Sequence, residues 1–226
     1  QRESLMSKYH HLSQLLIKFE STSDRFVPRI CITLVVMVSL MSGYLLLNNN
    51  LEHKIDLLLP IDTWIPYLPW TAGIYFTLYL MYIGVAVVLD SKAYTQVLVD
   101  LVLMTLISFL CFVIITSHYP RPSPDAWADS LWKPVLDLMV KLDAPGNTCP
   151  SLHVSTSLYL SWVMRSSKYG VAWVIWGLLV SLSTLTLKQH FVWDWIGGLF
   201  LVYIIVMIQP RIKVILHNLR NLLHEQ

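Results

Sequence analysis

Six apolar stretches, near residues 30–47, 70–89, 94–117, 151–165, 170–188 and 191–209, decide what this 226-residue chain can become. A helix takes roughly 20 apolar residues to cross a bilayer, and runs of this length read as helices rather than strands. The fourth stretch is short, and the join between the fifth and sixth is tight. The chain is 55% hydrophobic and 13% charged, about half the charged share of roughly 25% in a soluble domain. It lacks the polar surface that a water-soluble protein needs. The fold class expected is all-α, an integral membrane bundle of six helices. One membrane domain covers 30–210, with a cytoplasmic amphipathic segment at 1–29 and a basic amphipathic tail at 211–226. No soluble domain, internal repeat or low-complexity tract is visible.

Charge sets the expected orientation. With the N-terminus in the cytoplasm, eleven of the sixteen Lys and Arg fall on that side. The other five are Lys54, Arg121, Lys133, Lys141 and Lys188. That asymmetry follows the positive-inside rule and puts both termini in the cytoplasm. The loops joining spans three to four and five to six then face outward. No cleavable leader is expected, because the first apolar run begins about thirty residues in and lacks a small-x-small exit. The absence of any Asn-x-Ser/Thr sequon and the small size point to a bacterial inner membrane.

Flanking segments carry interfacial signals. Leu5, Tyr9, Leu12, Leu15, Leu16 and Phe19 recur at helical spacing, as do Ile212, Ile215, Leu219 and Leu222 among basic neighbours; such helices lie on lipid. The outer loop from about 118 to 149 is long for a connection. Its Trp127 and Trp132 suit the headgroup layer. The loop around Leu51–Trp70 is expected to behave alike. The three cysteines suggest no disulfide framework, and Cys149 is read as a packed thiol. Asp100, inside the third span, is read as an interhelical hydrogen-bond partner. Gly197 and Gly198 allow close helix contact.

Two segments about forty residues apart carry the chemistry. Pro150-Ser151-Leu152-His153 begins a helix whose first amides lack intrahelical partners and face an anion at the positive end of the dipole. Ser151 adds a hydroxyl, and His153 sits in the same turn. In the second segment, Ser183-Thr184 precede His190 and Asp194, which lie four apart and share a helix face. A carboxylate on one imidazole nitrogen fixes the tautomer and leaves the other free to attack. Arg121, after Tyr119-Pro120, can fork onto phosphate oxygens. Lys188 is a second nearby cation. Each segment also reads as an ordinary capped helix end. Orientation puts all of them on one outer face.

Together they resemble the type 2 phosphatidic acid phosphatase superfamily over residues 70–210. That family's pattern is Lys-x6-Arg-Pro, then Pro-Ser-Gly-His, then Ser-Arg-x5-His-x3-Asp. Here the elements stand as Ile114…Arg121-Pro122, Pro150-Ser151-Leu152-His153, and Ser183-Thr184…His190…Asp194. The family's lysine is replaced by Ile114, its arginine by Thr184 and its glycine by Leu152, so two phosphate-facing cations are missing. The resemblance implies that His190 attacks phosphorus, Asp194 orients it and His153 handles the leaving-group proton. It also implies that Arg121, Ser151, Ser183 and backbone amides such as that of Leu152 hold the phosphate; Lys188, outside the family pattern, is read as the replacement for one missing cation. No metal or cofactor is implied. The function expected is a lipid phosphatase acting on the extracytoplasmic face through a phosphohistidine. One alternative is a head-group transferase acting on a phosphodiester, similar to inositol phosphorylceramide synthases. A non-catalytic lipid-phosphate binder is another, and a metal site of His153, His190 and Asp194 a further one. The partners expected are the bilayer and a phospholipid, with no nucleic acid.

Overall fold

The computed structural model describes residues 2–52 and 54–221, with side chains from Tyr9 onward. The described chain is mostly helical: α1 (Arg2–Ser23), α2 (Phe26–Asn50), α3 (Pro60–Trp64), α4 (Ala72–Phe76), α5 (Leu78–Val88), α6 (Ser91–Ile114), α7 (Lys133–Leu142), α8 (Leu152–Met164), α9 (Gly170–Thr186) and α10 (Val192–Asn221). Two-residue strands β1 (Ile55–Asp56) and β2 (Ser117–His118) pair in parallel, Ile55 opposite Ser117. Among the described residues, four helical stretches are long and apolar enough to cross a membrane: Phe26–Asn50, Pro69–Val88, Ser91–Ile114 and Val192–Asn221. Helix α9 is apolar but 17 residues long, and α8 has 13.

Helix starts follow local chemistry. Asp90 caps α6, its Oδ1 accepting from the Ala93 amide at 2.9 Å, and Ser151 caps α8, its Oγ accepting from the Val154 amide at 3.3 Å. Such caps satisfy amides that a helix start leaves open. Pro210 removes one N–H from α10, yet the helix runs on to Asn221. The basic tail is therefore the last part of the sixth apolar helix rather than a separate segment. Residues 222–226, Leu222 included, and the Leu5 side chain lie outside what is described.

The core is built by α5, α6, α8, α9 and α10, around Met81, Leu101, Met104, Leu160, Val180 and Ile205. Small residues set its closest approach. A Cβ added to Gly177 on α9 would lie 1.9 Å from Ser161 Oγ and 2.7 Å from the Ser157 carbonyl on α8. One added to Gly198 would lie 2.9 Å from Val154 Cβ. Asp100, wholly buried, ties three helices together. It accepts from Tyr159 Oη of α8, from Gln209 Nε2 of α10 at 3.0 Å and from Gln96 Nε2 at 2.8 Å. That is the interhelical bond the sequence led one to expect. An intramembrane carboxylate is tolerable when so saturated.

The bundle has two distinct ends. At one, Arg29 donates to the carbonyls of Ser23, Ala86 and Leu89 beneath Tyr94. There α1 also docks on α10 through a forked Arg220–Glu20 pair, with Nη2···Oε1 2.6 Å and Nε···Oε1 3.0 Å. Tyr9, Leu12 and Leu15 remain exposed on the far side of α1. At the other end, the last turns of α2, α6 and α9 meet the first turns of α4, α8 and α10. Asn48 bonds Asp143, Thr71 bonds Thr186, Ser117 bonds Thr148, and the Ser151 amide donates to the Asp194 carbonyl.

The long segment from about 118 to 149 folds over this second end. Trp127 is buried against Tyr75, Leu136 and Leu187 rather than lying at a lipid interface. Its indole N–H donates to Asp137 Oδ1 at 2.8 Å, which satisfies the polar handle that otherwise draws Trp to headgroups. Trp64 and Trp70 are exposed.

Candidate functional site

A cavity of about 330 Å³ opens between α2, α5, α7 and the first turn of α8. That size suits a bound small molecule or part of a lipid. Its inner length is apolar, with Met37, Leu40 and Met41 from α2 facing Leu138 and Leu142 from α7. Its polar end holds His153, His190, Asp143, Asn147, Gln189 and Tyr119. Among the described residues no Lys or Arg lines the cavity.

The two histidines meet there because two helix starts meet there. Their ring centroids are 6.4 Å apart. His153, the second residue of α8, is stacked under Tyr75 with centroids 3.9 Å apart, and the Tyr75 hydroxyl lies 3.2 Å from His153 Nδ1. Tyr79 contacts the same ring edge-on. His153 Nε2 is buried and has no hydrogen-bond partner among the described residues. The imidazole is thus held in place while one nitrogen stays available.

His190 lies just before α10 and Asp194 within its first turn. His190 Nδ1 is 3.6 Å from Asp194 Oδ2, ion-pair range but longer than a good hydrogen bond. The same Oδ2 accepts from the Phe191 amide at 2.8 Å, so Asp194 both caps α10 and faces the histidine. The carboxylate is fully buried, a position where charge acts strongly on its neighbour.

The remaining sequence candidates are placed elsewhere. Arg121 stands behind Tyr119 and outside the cavity wall. Its Nε and Nη2 donate to the Tyr119 hydroxyl at 2.9 and 2.6 Å, Nη1 and Nη2 donate to the carbonyls of Val140 and Ala144, and Asp143 is 3.6 Å away. Tyr119 Oη in turn donates to Gln189 Oε1 at 3.1 Å. Burial pushes the Tyr119 phenol up, so it stays neutral. Lys188, with a left-handed φ of 53°, turns away and donates to the Asp62 carbonyl at 2.6 Å. Asp62 Oδ1 then accepts from the Val192 amide at 2.9 Å, so this contact braces the start of α10. Ser183 is buried and donates to the Val180 carbonyl at 2.6 Å. Ser151 is buried as the cap of α8, and its amide is spent on Asp194. Leu152 and His153 are the first two residues of α8 and line the cavity, and amides at a helix start have no intrahelical partner.

Cys149 packs near Gly197, and burial pushes its thiol up to about 12, which suits an inert packed side chain. Among the described residues no group of three or more His, Cys, Asp or Glu is arranged to hold a metal ion. Tyr75, Tyr79, Asp143 and Asn147 went unremarked in the sequence. The only local cue was Gly146-Asn147, a turn dipeptide at the end of the long segment. Comparison with known proteins gave no matching family model, no matching curated protein and no matching solved structure.

Proposed function

We propose that this chain is a membrane enzyme that takes a phosphoryl group from a lipid phosphoester onto His190. The observation that carries the reading is the meeting of His190, backed by Asp194, with His153 in the wall of one largely apolar cavity. With Asp194 on Nδ1, His190 Nε2 is the attacking nitrogen. A phosphorus–nitrogen bond forms as the bond to the lipid alkoxide breaks, and His153 supplies that alkoxide's proton. In the second half His153 takes a proton from the acceptor, whose oxygen displaces His190. The open amides of Leu152 and His153, at the positive end of α8, stabilise charge on the phosphoryl oxygens. The apolar cavity holds the lipid chain.

The acceptor distinguishes hydrolysis from head-group transfer. The absence of Lys and Arg among the described residues of the cavity wall favours a phosphodiester, with one negative charge, over a monoester with close to two. That supports the transferase reading over monoester hydrolysis. In this proposal six helices span the membrane, both termini are cytoplasmic and the cavity opens on the extracytoplasmic side. The motif resemblance to the type 2 phosphatidic acid phosphatase superfamily and the asymmetry of Lys and Arg support these points.

The test uses purified protein in micelles with lipids radiolabelled at the head-group phosphate, with and without a lipid alcohol acceptor. Expected is label trapped on the protein as an acid-labile, base-stable adduct that His190→Ala abolishes, with product formation that depends on the acceptor. Release of inorganic phosphate independent of acceptor would show a phosphatase. Turnover unchanged in His190→Ala would overturn the catalytic reading and leave a lipid-binding role.

A further inference from the structure

Asn147 is the least explained side chain at the polar end. It is 1% exposed, its backbone is held at a left-handed φ of 52°, and its own amide donates to the Ser117 carbonyl at 3.1 Å. Asn tolerates that conformation better than most residues. Yet, among the described residues, neither Nδ2 nor Oδ1 has a hydrogen-bond partner, and the residue lines the cavity. A buried amide left unmatched is destabilising by about 1–3 kcal/mol. A site that keeps such a group is poised for a ligand oxygen.

Four residues earlier, Asp143 also lines the cavity. Asn48 Nδ2 donates to it, Tyr44 Oη does so at 3.3 Å, and Arg121 stands behind at 3.6 Å. Burial pushes the Asp143 carboxyl up, so its charge is under-compensated where it sits. The walls next to it are aromatic, with Tyr44, Tyr75, Phe76, Tyr79 and Tyr82 facing the same space. A carboxylate among aromatic faces, with no Lys or Arg among the described residues of the wall, is a receptor for an ammonium group. An amide donor four residues away suits the phosphoryl oxygen that such a group accompanies.

We infer that Asp143 and Asn147 form a head-group receptor for a zwitterionic lipid phosphodiester. The Asn147 amide donates to a phosphoryl oxygen, and Asp143 with the tyrosine rings faces the ammonium. This rests on the proposed reading of the cavity as a lipid head-group site. It adds which head group is taken and which residues select it. Asn147 fills, as a neutral donor, a place that a cation would take for a more highly charged phosphate.

The experiment compares phosphatidylcholine, phosphatidylethanolamine, phosphatidylglycerol and phosphatidic acid of matched chains on the full chain in detergent. Lipid retention by native mass spectrometry, thermal shift and turnover are read together. The wild type is expected to retain the two ammonium lipids roughly tenfold better than phosphatidylglycerol. Asp143→Asn should erase that preference. Asn147→Gly, which accepts the left-handed backbone, should weaken all the diesters roughly tenfold without changing their order. If Asp143→Asn does not fold, Tyr79→Leu reads the same preference, with phosphatidylcholine the most affected. Equal or better retention of phosphatidylglycerol by the wild type overturns the inference, as does a preference untouched by Asp143→Asn or, in its place, Tyr79→Leu. Ammonium-selective binding without turnover would sink the proposed enzyme and leave this receptor standing. Turnover indifferent to head group would do the reverse.

Discussion

Substituting Asp194 by Asn separates the two tasks that one carboxylate performs here. The backbone contact from the Ser151 amide to the Asp194 carbonyl is indifferent to the side chain. An Asn side-chain oxygen can still accept from the Phe191 amide, now 2.8 Å from Oδ2, so the start of α10 survives. What disappears is the negative charge 3.6 Å from His190 Nδ1. At that separation two full charges in a medium of effective dielectric about 20 attract by roughly 4–5 kcal/mol. Only part of that develops as the imidazole attacks, so the barrier should rise by about 2–4 kcal/mol. Turnover should then fall ~30- to 1,000-fold. An Asn amide turned toward Nδ1 would also favour the tautomer whose Nε2 carries a proton and cannot attack. The assay is single-turnover formation of the His190 adduct in micelles, with thermal unfolding measured on the same samples. Asp194→Ala provides the contrast, since it loses the cap as well and should lower stability by about 1 kcal/mol. If Asp194→Asn forms the adduct within threefold of wild type while Asp194→Ala unfolds earlier, capping is the whole role of Asp194, and the orienting argument fails.

Gly177→Ala should destabilise the folded chain by about 1–3 kcal/mol through overpacking, because its Cβ would fall 1.9 Å from Ser161 Oγ; an unchanged unfolding midpoint in detergent would show that α8 and α9 do not pack this closely. Asp100→Ala strips the partner from Tyr159 and Gln209 and should be destabilising by about 2–4 kcal/mol, with adduct formation per folded molecule unchanged; a selective loss of turnover would give Asp100 a role in the chemistry. With its thiol near 12, Cys149 is roughly one part in ten thousand thiolate at pH 8, so iodoacetamide should leave turnover intact and Cys149→Ala should match wild type. Burial holds the Asp143 carboxyl above its unfolded value, in the company of Arg121, Tyr44, Asn48 and His190. The folded chain therefore takes up a proton there as pH falls through that raised value, and wild-type stability relative to Asp143→Asn should rise on acidification; parallel unfolding curves across that range would refute it.

The helices were legible because apolar run length and caps are local properties. The six stretches reappear as α2, α4 with α5, α6, α8, α9 and α10; most ends shift by a few residues, while α10 runs twelve residues past the expected end to Asn221. The junction of α4 and α5 at Thr77 was invisible, since Thr77 breaks no pattern and the two helices abut. His190, Asp194 and His153 do meet, but not through the shared helix face that the spacing implied, since His190 lies in the turn before α10. Trp127 could not be placed, because its burial depends on Asp137, ten residues away in the same segment, receiving the indole N–H.

Arg121 and Lys188 show why charge is the hardest thing to place from a sequence. Both lie beside the right residues in the chain, and both are long enough to reach several places. Arg121 finds two carbonyls, a phenol and a carboxylate behind the wall, which together satisfy most of its five donors. Lys188 is committed by one backbone dihedral, its φ of 53°, to the Asp62 carbonyl. Each cation is already satisfied before any ligand arrives, so a phosphate recruiting either one must first displace bonds of similar strength. Asn147 runs the other way, since its side chain is buried with no hydrogen-bond partner among the described residues. Charge that is present but committed, beside an amide that is neutral but open, makes a site better matched to one negative charge than to two.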